Sequence, residues 1–168
     1  KATEAIKNGL EPLAKMIMSC PKTGNINDLA KKFINENVDN EDKAIEGAKY
    51  IIAEWISDNA SYRKYIRNNM YKHGVIETSL KKNAKDENKV YDMYYDYSER
   101  IKYIKPHRIL AINRGENEDV LSVSIEYEKE RVINYLEKMV IKNENSIVTD
   151  IVRDAILDSY KRLIQPSI

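Results

Sequence analysis

The chain has 168 residues, of which 42% are hydrophobic and 33% charged, with a formal net charge of +1 at pH 7. This balance is typical of a globular protein and excludes a disordered chain, and the small number of glycines (five) and prolines (four) favours helices over sheet turns. No long apolar run marks a membrane-spanning helix, and the single cysteine, Cys20, excludes an intramolecular disulfide. We therefore expect a folded, cytoplasmic protein.

Helical spacing of apolar residues begins near the start of the chain. The residues between Leu10 and Ile17 predict a short helix. Asp28 is a candidate cap for a second helix that continues to about Ile34. Two short helices are therefore predicted in the first 35 residues.

The clearest helix is predicted over about residues 41 to 57, because apolar residues recur there at steps of three and four after the capping-competent pair Asp39 and Asn40. Trp55 falls on its apolar stripe and is expected in the core. A further helix is predicted to begin near residue 59 and to end at residues 73 to 74, where a glycine suits a left-handed terminus.

The middle of the chain changes character. Residues 77 to 88 are polar and lysine-rich, which indicates a solvated connection. Helical spacing returns between Val90 and Ile104 and predicts a tyrosine-lined helix with Tyr94 and Tyr97 on its buried stripe. Pro106 ends that pattern, since a proline pushes the preceding residue out of the helical basin.

A helix from residue 107 to about Arg114 and a short extended piece over 121 to 127 are predicted next. Two amphipathic helices, joined near residues 143 to 146, complete the chain. The sequence thus predicts a mainly α fold, an irregular multi-helix bundle with at most one short extended segment or hairpin. We expect residues 1 to 168 to form a single helical domain or connector region, and the missing initial methionine favours a fragment of a longer protein.

Charge is unevenly distributed along the chain. Residues 59 to 108 hold twelve basic and six acidic side chains, together with eight of the twelve tyrosines. Interleaved cations and aromatic rings are typical of surfaces that contact phosphates and stack on unpaired bases. The candidate contacts to nucleic acid are Lys81, Lys82, Lys85, Arg100, Lys102, Lys105, Arg108 and Arg114. The alternative is that the lysines only solvate a loop and that the tyrosines are core residues.

A dense polar cluster around residue 110 has two interpretations. His107, Arg108, Arg114 and Glu116 surround apolar residues, and half-buried arginines ordinarily need an acidic partner. We favour an ion-pair and hydrogen-bond lock between helices, with Gly115 supplying a turn. Direct contact with nucleic acid is the alternative.

Asp92, Asp96 and Glu99 would share one face of a helix, which in principle suits a divalent cation. Neighbouring cations favour surface ion pairs instead. A metal-dependent hydrolase that uses Asp92, Asp96 and His107 is a further alternative, but its set of metal ligands is incomplete. Zinc-ligand spacing, a phosphate-binding glycine loop and a nucleophile elbow are missing from the sequence, so we expect no metal, no cofactor and no enzymatic activity.

The sequence contains four ordered blocks, namely Gly9 to Ala14, Glu46 to Ala48 followed by Ile51 to Ser57, His107 to Glu116, and Tyr160 to Ile168. Together these blocks resemble the Tex family of bacterial transcription accessory proteins. The third block, His-Arg-Ile-Leu-Ala-Ile-Asn-Arg-Gly-Glu, is the most specific. The family usually has Pro-Ser before the His-Arg pair, whereas this chain has Lys105 and Pro106, so no side-chain cap is expected there.

The resemblance implies a multidomain, nucleic-acid-binding scaffold related to a eukaryotic transcription elongation factor. In that family a resolvase-like ribonuclease-H-fold domain, helix-hairpin-helix modules and an OB-fold RNA-binding domain follow the region seen here. We therefore expect a helical scaffold region that positions such modules, with RNA or DNA as the partner of the parent protein. The alternative is a protein-protein interaction module that contacts the transcription machinery. Neither a membrane nor a small-molecule substrate is expected as a partner.

Overall fold

The computed structural model describes residues 1 to 167, and 59% of the chain is helical. The helices are α1 (Ala2–Lys7), α2 (Glu11–Met18), α3 (Ile26–Lys31), α4 (Glu41–Asp58), α5 (Ala60–His73), α6 (Pro106–Asn117), α7 (Lys129–Val140), α8 (Thr149–Asp158) and α9 (Gln165–Ser167). The strands are β1 (Val75–Leu80), β2 (Asp96–Arg100) and β3 (Leu121–Glu126). The predicted mainly α fold is confirmed, and its extended part is one small antiparallel sheet.

The chain forms two compact units. The helical unit comprises Lys1–Lys64 together with the chain from Glu130 onward, and the sheet unit comprises Tyr65–Lys129. Each unit is built from its own set of contacts. The lysine-rich and tyrosine-rich middle of the sequence corresponds largely to the sheet unit.

Helix α4 is the centre of the helical unit, as its periodicity predicts. Ala44, Ala48, Ile51 and Ile52 are fully buried, and α4 contacts α1, α2, α3, α8 and the π-helical turn at Ser159–Ile164. The side chain of Asn40 caps the helix by accepting a hydrogen bond from the amide of Lys43 at 2.9 Å. The predicted α4 is confirmed.

Trp55 corrects the expectation of a core tryptophan, because it is only half-buried. The fully buried positions of α4 are taken by small and branched aliphatic residues, which let neighbouring helices approach closely. At Gly47 a Cβ atom would overlap the Leu10 side chain. The large indole therefore lies at the border of the stripe instead of its centre.

The third helix begins earlier than predicted. Asn25, and not Asp28, is its cap, because the Asn25 side chain accepts a hydrogen bond from the amide of Asn27 at 2.8 Å. Asp28 lies in the first turn and pairs with Lys31 at 3.7 Å. The helix also ends at Lys31, so the segment up to Ile34 lies beyond it.

The two C-terminal amphipathic helices are confirmed as α7 and α8. The loop that connects them is fixed by Ser146, whose hydroxyl donates a hydrogen bond to the Pro21 carbonyl at 2.7 Å. After α8, Ser159 is fully buried and its hydroxyl donates to the Ala53 carbonyl of α4 at 2.6 Å. Both serines tie distant parts of the chain into the helical unit.

The sheet unit contains a three-stranded sheet in the order β2-β1-β3. Both pairings are antiparallel, with Thr78 of β1 opposite Tyr97 of β2 and Val123 of β3. A core of buried residues lies with α6 on one side of this sheet. Its members are Tyr91, Tyr94, Ile112, Val120 and Leu121.

Two sequence-based expectations for this unit are wrong. Residues 77 to 80 belong to β1 instead of a solvated connection, and residues 90 to 104 form a 3-10 turn and β2 instead of a helix. The tyrosines fit both a helical stripe and a strand, and pairing with β1 decides for the strand. By contrast, the helix after residue 106 and the extended segment near 121 are confirmed as α6 and β3.

The two glycines singled out in this region have other roles than those predicted. Gly74 ends α5 without adopting a left-handed conformation, and a Cβ atom there would overlap the carbonyl oxygen of Met70. Gly115 lies inside α6 and not at a turn. It is buried there against Leu121. Both glycines are explained by close packing.

Candidate nucleic-acid interface

The register of the sheet places the predicted basic residues at two opposite ends of the sheet unit. Val75 at the start of β1 pairs with Arg100, whereas Leu80 at its end is followed by Lys81. Six strand residues at about 3.3 Å each separate the two ends by roughly 17 to 20 Å. The eight candidate contacts therefore do not form one continuous group.

The first group surrounds the turn between β2 and α6, and we call it the basic end. It comprises Lys72, Arg100, Lys102 and Lys105, with Tyr103 among them. The Arg100 guanidinium donates from Nη2 to the Lys72 carbonyl at 3.0 Å. No acidic residue interrupts the sequence from 100 to 105, so three cations and one aromatic ring follow one another there. The register also brings one carboxylate, Glu126 of β3, to this end, because Val75 pairs with it.

The second group lies where β1 and α6 end and where β2 and β3 begin, and we call it the mixed end. Its segments, 81 to 96 and 114 to 119, hold five basic and seven acidic residues. The Lys81 ammonium pairs with the Asp119 carboxylate at 3.1 Å. Lys82, Lys85 and Arg114 therefore lie in a region of nearly balanced, slightly negative charge, where attraction to phosphate is weakened.

The outer face of the sheet is polar but not basic. Residues on opposite strands share a face when they pair directly, so Glu77 faces outward with Ser98 and Ser124, and Ser79 with Asp96 and Ser122. These six side chains line a shallow cavity. The charged side chains that line this cavity are the carboxylates Glu77 and Asp96, so the cavity repels phosphate. Arg100 lies on the same face but at the other end of β1, and the basic end is the better candidate.

Arg108 links the first turn of α6 to β2. Its Nη1 donates to the Tyr97 hydroxyl at 2.7 Å, lies 3.6 Å from the Glu99 carboxylate, and its guanidinium lies 5.8 Å from the centre of the Tyr97 ring. Tyr97 also donates to Glu99. The Tyr97 hydroxyl and then Glu99 raise the pKa of Arg108. Arg108 thus has the acidic partner that we expected, but on a strand instead of a helix.

The remaining members of the predicted polar cluster lie elsewhere on α6. His107, Arg114 and Glu116 are exposed, whereas Arg108 is half-buried. Lys105 precedes the helix and makes no side-chain cap, in agreement with the Lys-Pro departure noted in the sequence. The structure therefore brings Arg108 into a network and leaves the other three on the surface.

A second network, which the sequence did not reveal, organises the lysine-rich loop after β1. The Asp86 carboxylate accepts hydrogen bonds from the Val90 amide at 3.0 Å, the Tyr91 amide at 2.9 Å and the Tyr95 hydroxyl at 2.8 Å. The Tyr91 hydroxyl donates to Glu118 at 2.6 Å. Aspartate side chains commonly accept hydrogen bonds from nearby backbone amides in loops, but the tyrosine hydroxyl that joins them here depends on the fold.

These contacts shift the pKa values of the groups involved. The Tyr91 amide, followed by the other donors, lowers the pKa of the Asp86 carboxyl despite its desolvation. The hydrogen bond to Asp86 raises the pKa of Tyr95 to about 12. Burial raises the pKa of Tyr97 and of Tyr91, assisted by their carboxylate partners.

We expect the sheet unit to lose stability at both extremes of pH. The lowered pKa of Asp86 means that its carboxylate stabilises the fold above the ordinary carboxyl range, and this contribution is lost as the pH falls through the lowered pKa. The raised pKa of Tyr95 means that its neutral hydroxyl stabilises the fold below the ordinary tyrosine pKa, and this contribution is lost as the pH rises towards 12.

Urea midpoints from the near-ultraviolet circular dichroism of the tyrosines, measured across the pH range, test this expectation. Asp86→Asn should reduce the loss on the acid side, and Tyr95→Phe the loss on the alkaline side. Acid and alkaline profiles identical to those of the unchanged chain in both variants would show that this network does not govern the pH dependence.

The possible metal ligands do not lie as the sequence suggested. Asp92 belongs to the 3-10 turn, and Asp96 and Glu99 lie on β2 at positions of opposite parity, so the shared helical face does not exist. Among residues 1 to 167, no group of three His, Cys, Asp or Glu side chains is arranged to hold a metal ion. Within the same residues, no helix has the length and apolar character needed to cross a membrane.

A model of the Tex central region-like family matches residues 22–162. This match covers most of the chain, so the chain belongs to the Tex central region-like family. The resemblance seen in the four sequence blocks is thereby confirmed.

Individual relatives agree with this membership. The chain is 48% identical to the uncharacterized protein YdcI of Bacillus subtilis, over all of this chain and 24% of the relative. It is 28% identical to the transcriptional accessory protein Tex of Neisseria gonorrhoeae, over 76% of this chain and 17% of the relative. It is 31% identical to the human S1 RNA-binding domain-containing protein 1, over 99% of this chain and 18% of the relative. The chain thus spans a quarter or less of the length of these relatives.

Proposed function

We propose that this chain is a helical connector region of a cytoplasmic transcription accessory protein, and that it adds weak contacts to a nucleic-acid backbone without any catalytic role. Family membership and the names of two relatives, one a transcriptional accessory protein and the other an S1 RNA-binding protein, support the link to transcription and nucleic acid. In this proposal the parent protein holds its main nucleic-acid-binding modules outside the chain. The two compact units position those modules.

The observation that carries the backbone contact is the charge at the basic end. Arg100, Lys102 and Lys105 are exposed cations, whereas Lys81 is paired with Asp119 across the mixed end. Cations that are exposed to solvent release the counterions of phosphates on binding, which is the main source of affinity that does not depend on sequence. The basic end therefore supplies the contact in this proposal.

A salt titration with matched triple variants tests it. The chain is titrated against labelled single-stranded and duplex oligonucleotides over a range of salt concentrations, followed by fluorescence anisotropy. Neutralisation of the basic end by Arg100→Gln, Lys102→Gln and Lys105→Gln should reduce the slope of log affinity against log salt by about 2, because each lost phosphate contact contributes about 0.7 to 0.9.

The matched control neutralises the same number of cations at the mixed end, by Lys81→Gln, Lys82→Gln and Lys85→Gln. This control should change the slope by less than about 1. If the control reduces the slope more than the basic-end variant does, the phosphate contact lies at the mixed end and the assignment to the basic end is wrong. Absence of binding to either oligonucleotide at low salt would refute backbone contact by this region.

A second candidate function is protein docking, and one observation favours it. Leu110 is 67% exposed on α6, beside the partly exposed Ile109. Exposed aliphatic neighbours on one helix are a common feature of docking surfaces. If the region binds the transcription machinery through this face, Leu110→Ser should weaken binding to purified RNA polymerase and leave the salt-dependent binding of oligonucleotides unchanged.

A further inference from the structure

Tyr103 is an exposed aromatic ring held between cations at the basic end. Its side chain is 61% exposed. The Arg100 guanidinium carbon lies 5.3 Å from the ring centre, and the Lys102 ammonium lies 5.8 Å from it. Both distances allow a cation-π interaction, so the cations and the ring form one compact group.

The backbone fixes this group in place. The amide of Ile101 donates to the Gly74 carbonyl at 3.0 Å, and the amide of Tyr103 donates to the Arg100 carbonyl at 3.0 Å, which closes a tight turn. Ile104 packs against the buried core of the sheet unit. Because Ile101 and Ile104 anchor the turn, its backbone holds the polar and aromatic residues on the solvent side.

Other tyrosines of the sheet unit are used differently. Tyr91 and Tyr94 are buried in the core, and the hydroxyls of Tyr95 and Tyr97 bond to carboxylates. These rings gain stability from burial or from hydrogen bonds. Tyr103 and Tyr71 leave more than half of their surface open, at 61% and 56%. Of these two, Tyr103 has Arg100 and Lys102 against its ring, and core packing does not account for its position.

We propose that Tyr103 stacks on an unpaired base of a single-stranded nucleic acid whose phosphates lie against Arg100, Lys102 and Lys105. This proposal rests on the proposed function and specifies its ligand. In a duplex the base faces are already stacked and only their edges are accessible, so an exposed ring gains little from it. An unpaired base offers its face to the ring and its flanking phosphates to the cations, and every base has such a face.

The test measures the affinity of four chains, the unchanged one and three variants, for each of three ligands at low salt. The ligands are a single-stranded oligodeoxynucleotide, a single-stranded oligoribonucleotide and a duplex of the same length. Tyr103→Ala should weaken binding of both single strands by roughly 5-fold to 100-fold, because stacking on one ring is lost, while duplex binding changes by less than about 2-fold. Tyr103→Phe keeps the ring and should bind like the unchanged chain. Leu110→Ala removes an equally exposed side chain nearby and serves as the matched control.

Cross-linking locates the base directly. A single strand substituted with bromouracil should form an ultraviolet cross-link to Tyr103, identified by mass spectrometry of the digested chain. Salt-dependent binding that Tyr103→Ala leaves unchanged, with cross-links elsewhere, would overturn the stacking proposal while backbone contact stands. If neither single strand nor duplex binds at low salt, the proposed function itself fails, and the stacking proposal fails with it.

Discussion

Replacement of Gly115 by alanine is expected to destabilise the sheet unit by about 1 to 2 kcal/mol. A Cβ atom at this position would lie 2.5 Å from Cδ1 and 2.8 Å from Cγ of Leu121, and 3.3 Å from Cδ1 of Tyr91. Leu121 is fully buried, and Cγ cannot move without the rest of the side chain. Overpacking costs about 1 to 3 kcal/mol, and two contacts under 3.0 Å place this site in the upper half of that range, so about 1 to 2 kcal/mol remains after the gain of about 1 kcal/mol from alanine as a better helix former.

Urea unfolding, followed by the near-ultraviolet signal of the tyrosines, measures this loss. Asn113→Ala is the control, because it is an exposed position of the same helix and should change the free energy of unfolding by less than about 0.5 kcal/mol. In the double variant with Leu121→Ala the overlap is relieved, so the combined cost should be smaller than the sum of the single costs. Strict additivity would show that Gly115 and Leu121 are not sterically coupled.

The largest loss of stability in the helical unit is expected from Ile51→Ala. Ile51 is fully buried in the middle of α4, which contacts most of the other elements of the unit. Removal of three carbon atoms from such a site costs about 2 to 5 kcal/mol through lost burial and a residual cavity. Trp55, the single tryptophan, lies one turn further along α4 and reports unfolding by its fluorescence.

The control for this variant is Ile6→Ala, in which the same atoms are removed from a side chain that is 43% exposed. Its cost should be under about 1 kcal/mol, because less apolar surface is returned to water. Equal urea midpoints for the Ile6 and Ile51 variants would mean that α4 is not the structural centre of its unit.

The sequence predicted the helical unit well because its helices follow local rules. In α4, the cap at Asn40 and the apolar residues at steps of three and four lie within 18 consecutive residues, so no distant contact is needed to recognise the helix. The extent of α3 was harder to predict. Asn25 and Asp28 are both good caps, and the choice between them depends on a single hydrogen bond.

The sheet unit was predicted less well because its pattern depends on distant partners. Tyr97 lies on β2 because β1 and β2 pair across a loop of 15 residues, and no short window of sequence contains both strands. Thr78 is buried and its hydroxyl donates to the Tyr94 carbonyl at 2.7 Å, a contact that hydrophobic periodicity cannot indicate. Short, partly polar strands therefore looked like a helix and a loop.

The candidate site was predicted in composition but not in arrangement. The charge count identified Arg100, Lys102 and Lys105 together with Lys81, Lys82 and Lys85, yet only the strand register separates the two sets. The partner of Lys81, Asp119, lies 38 residues away in the sequence. Which cations are neutralised was therefore not visible until the fold was known.

The separation of the basic end from the mixed end also gives the sheet unit an electric dipole along β1. A polyanion approaching from solution experiences a torque that turns the positive pole towards it before any contact forms, so a larger fraction of collisions begins in a usable orientation. Added salt screens this long-range torque within about 10 Å, so the rate of encounter falls more steeply than the lifetime of the complex. In the proposed function, the antiparallel register therefore influences the kinetics of capture as well as the position of the contact.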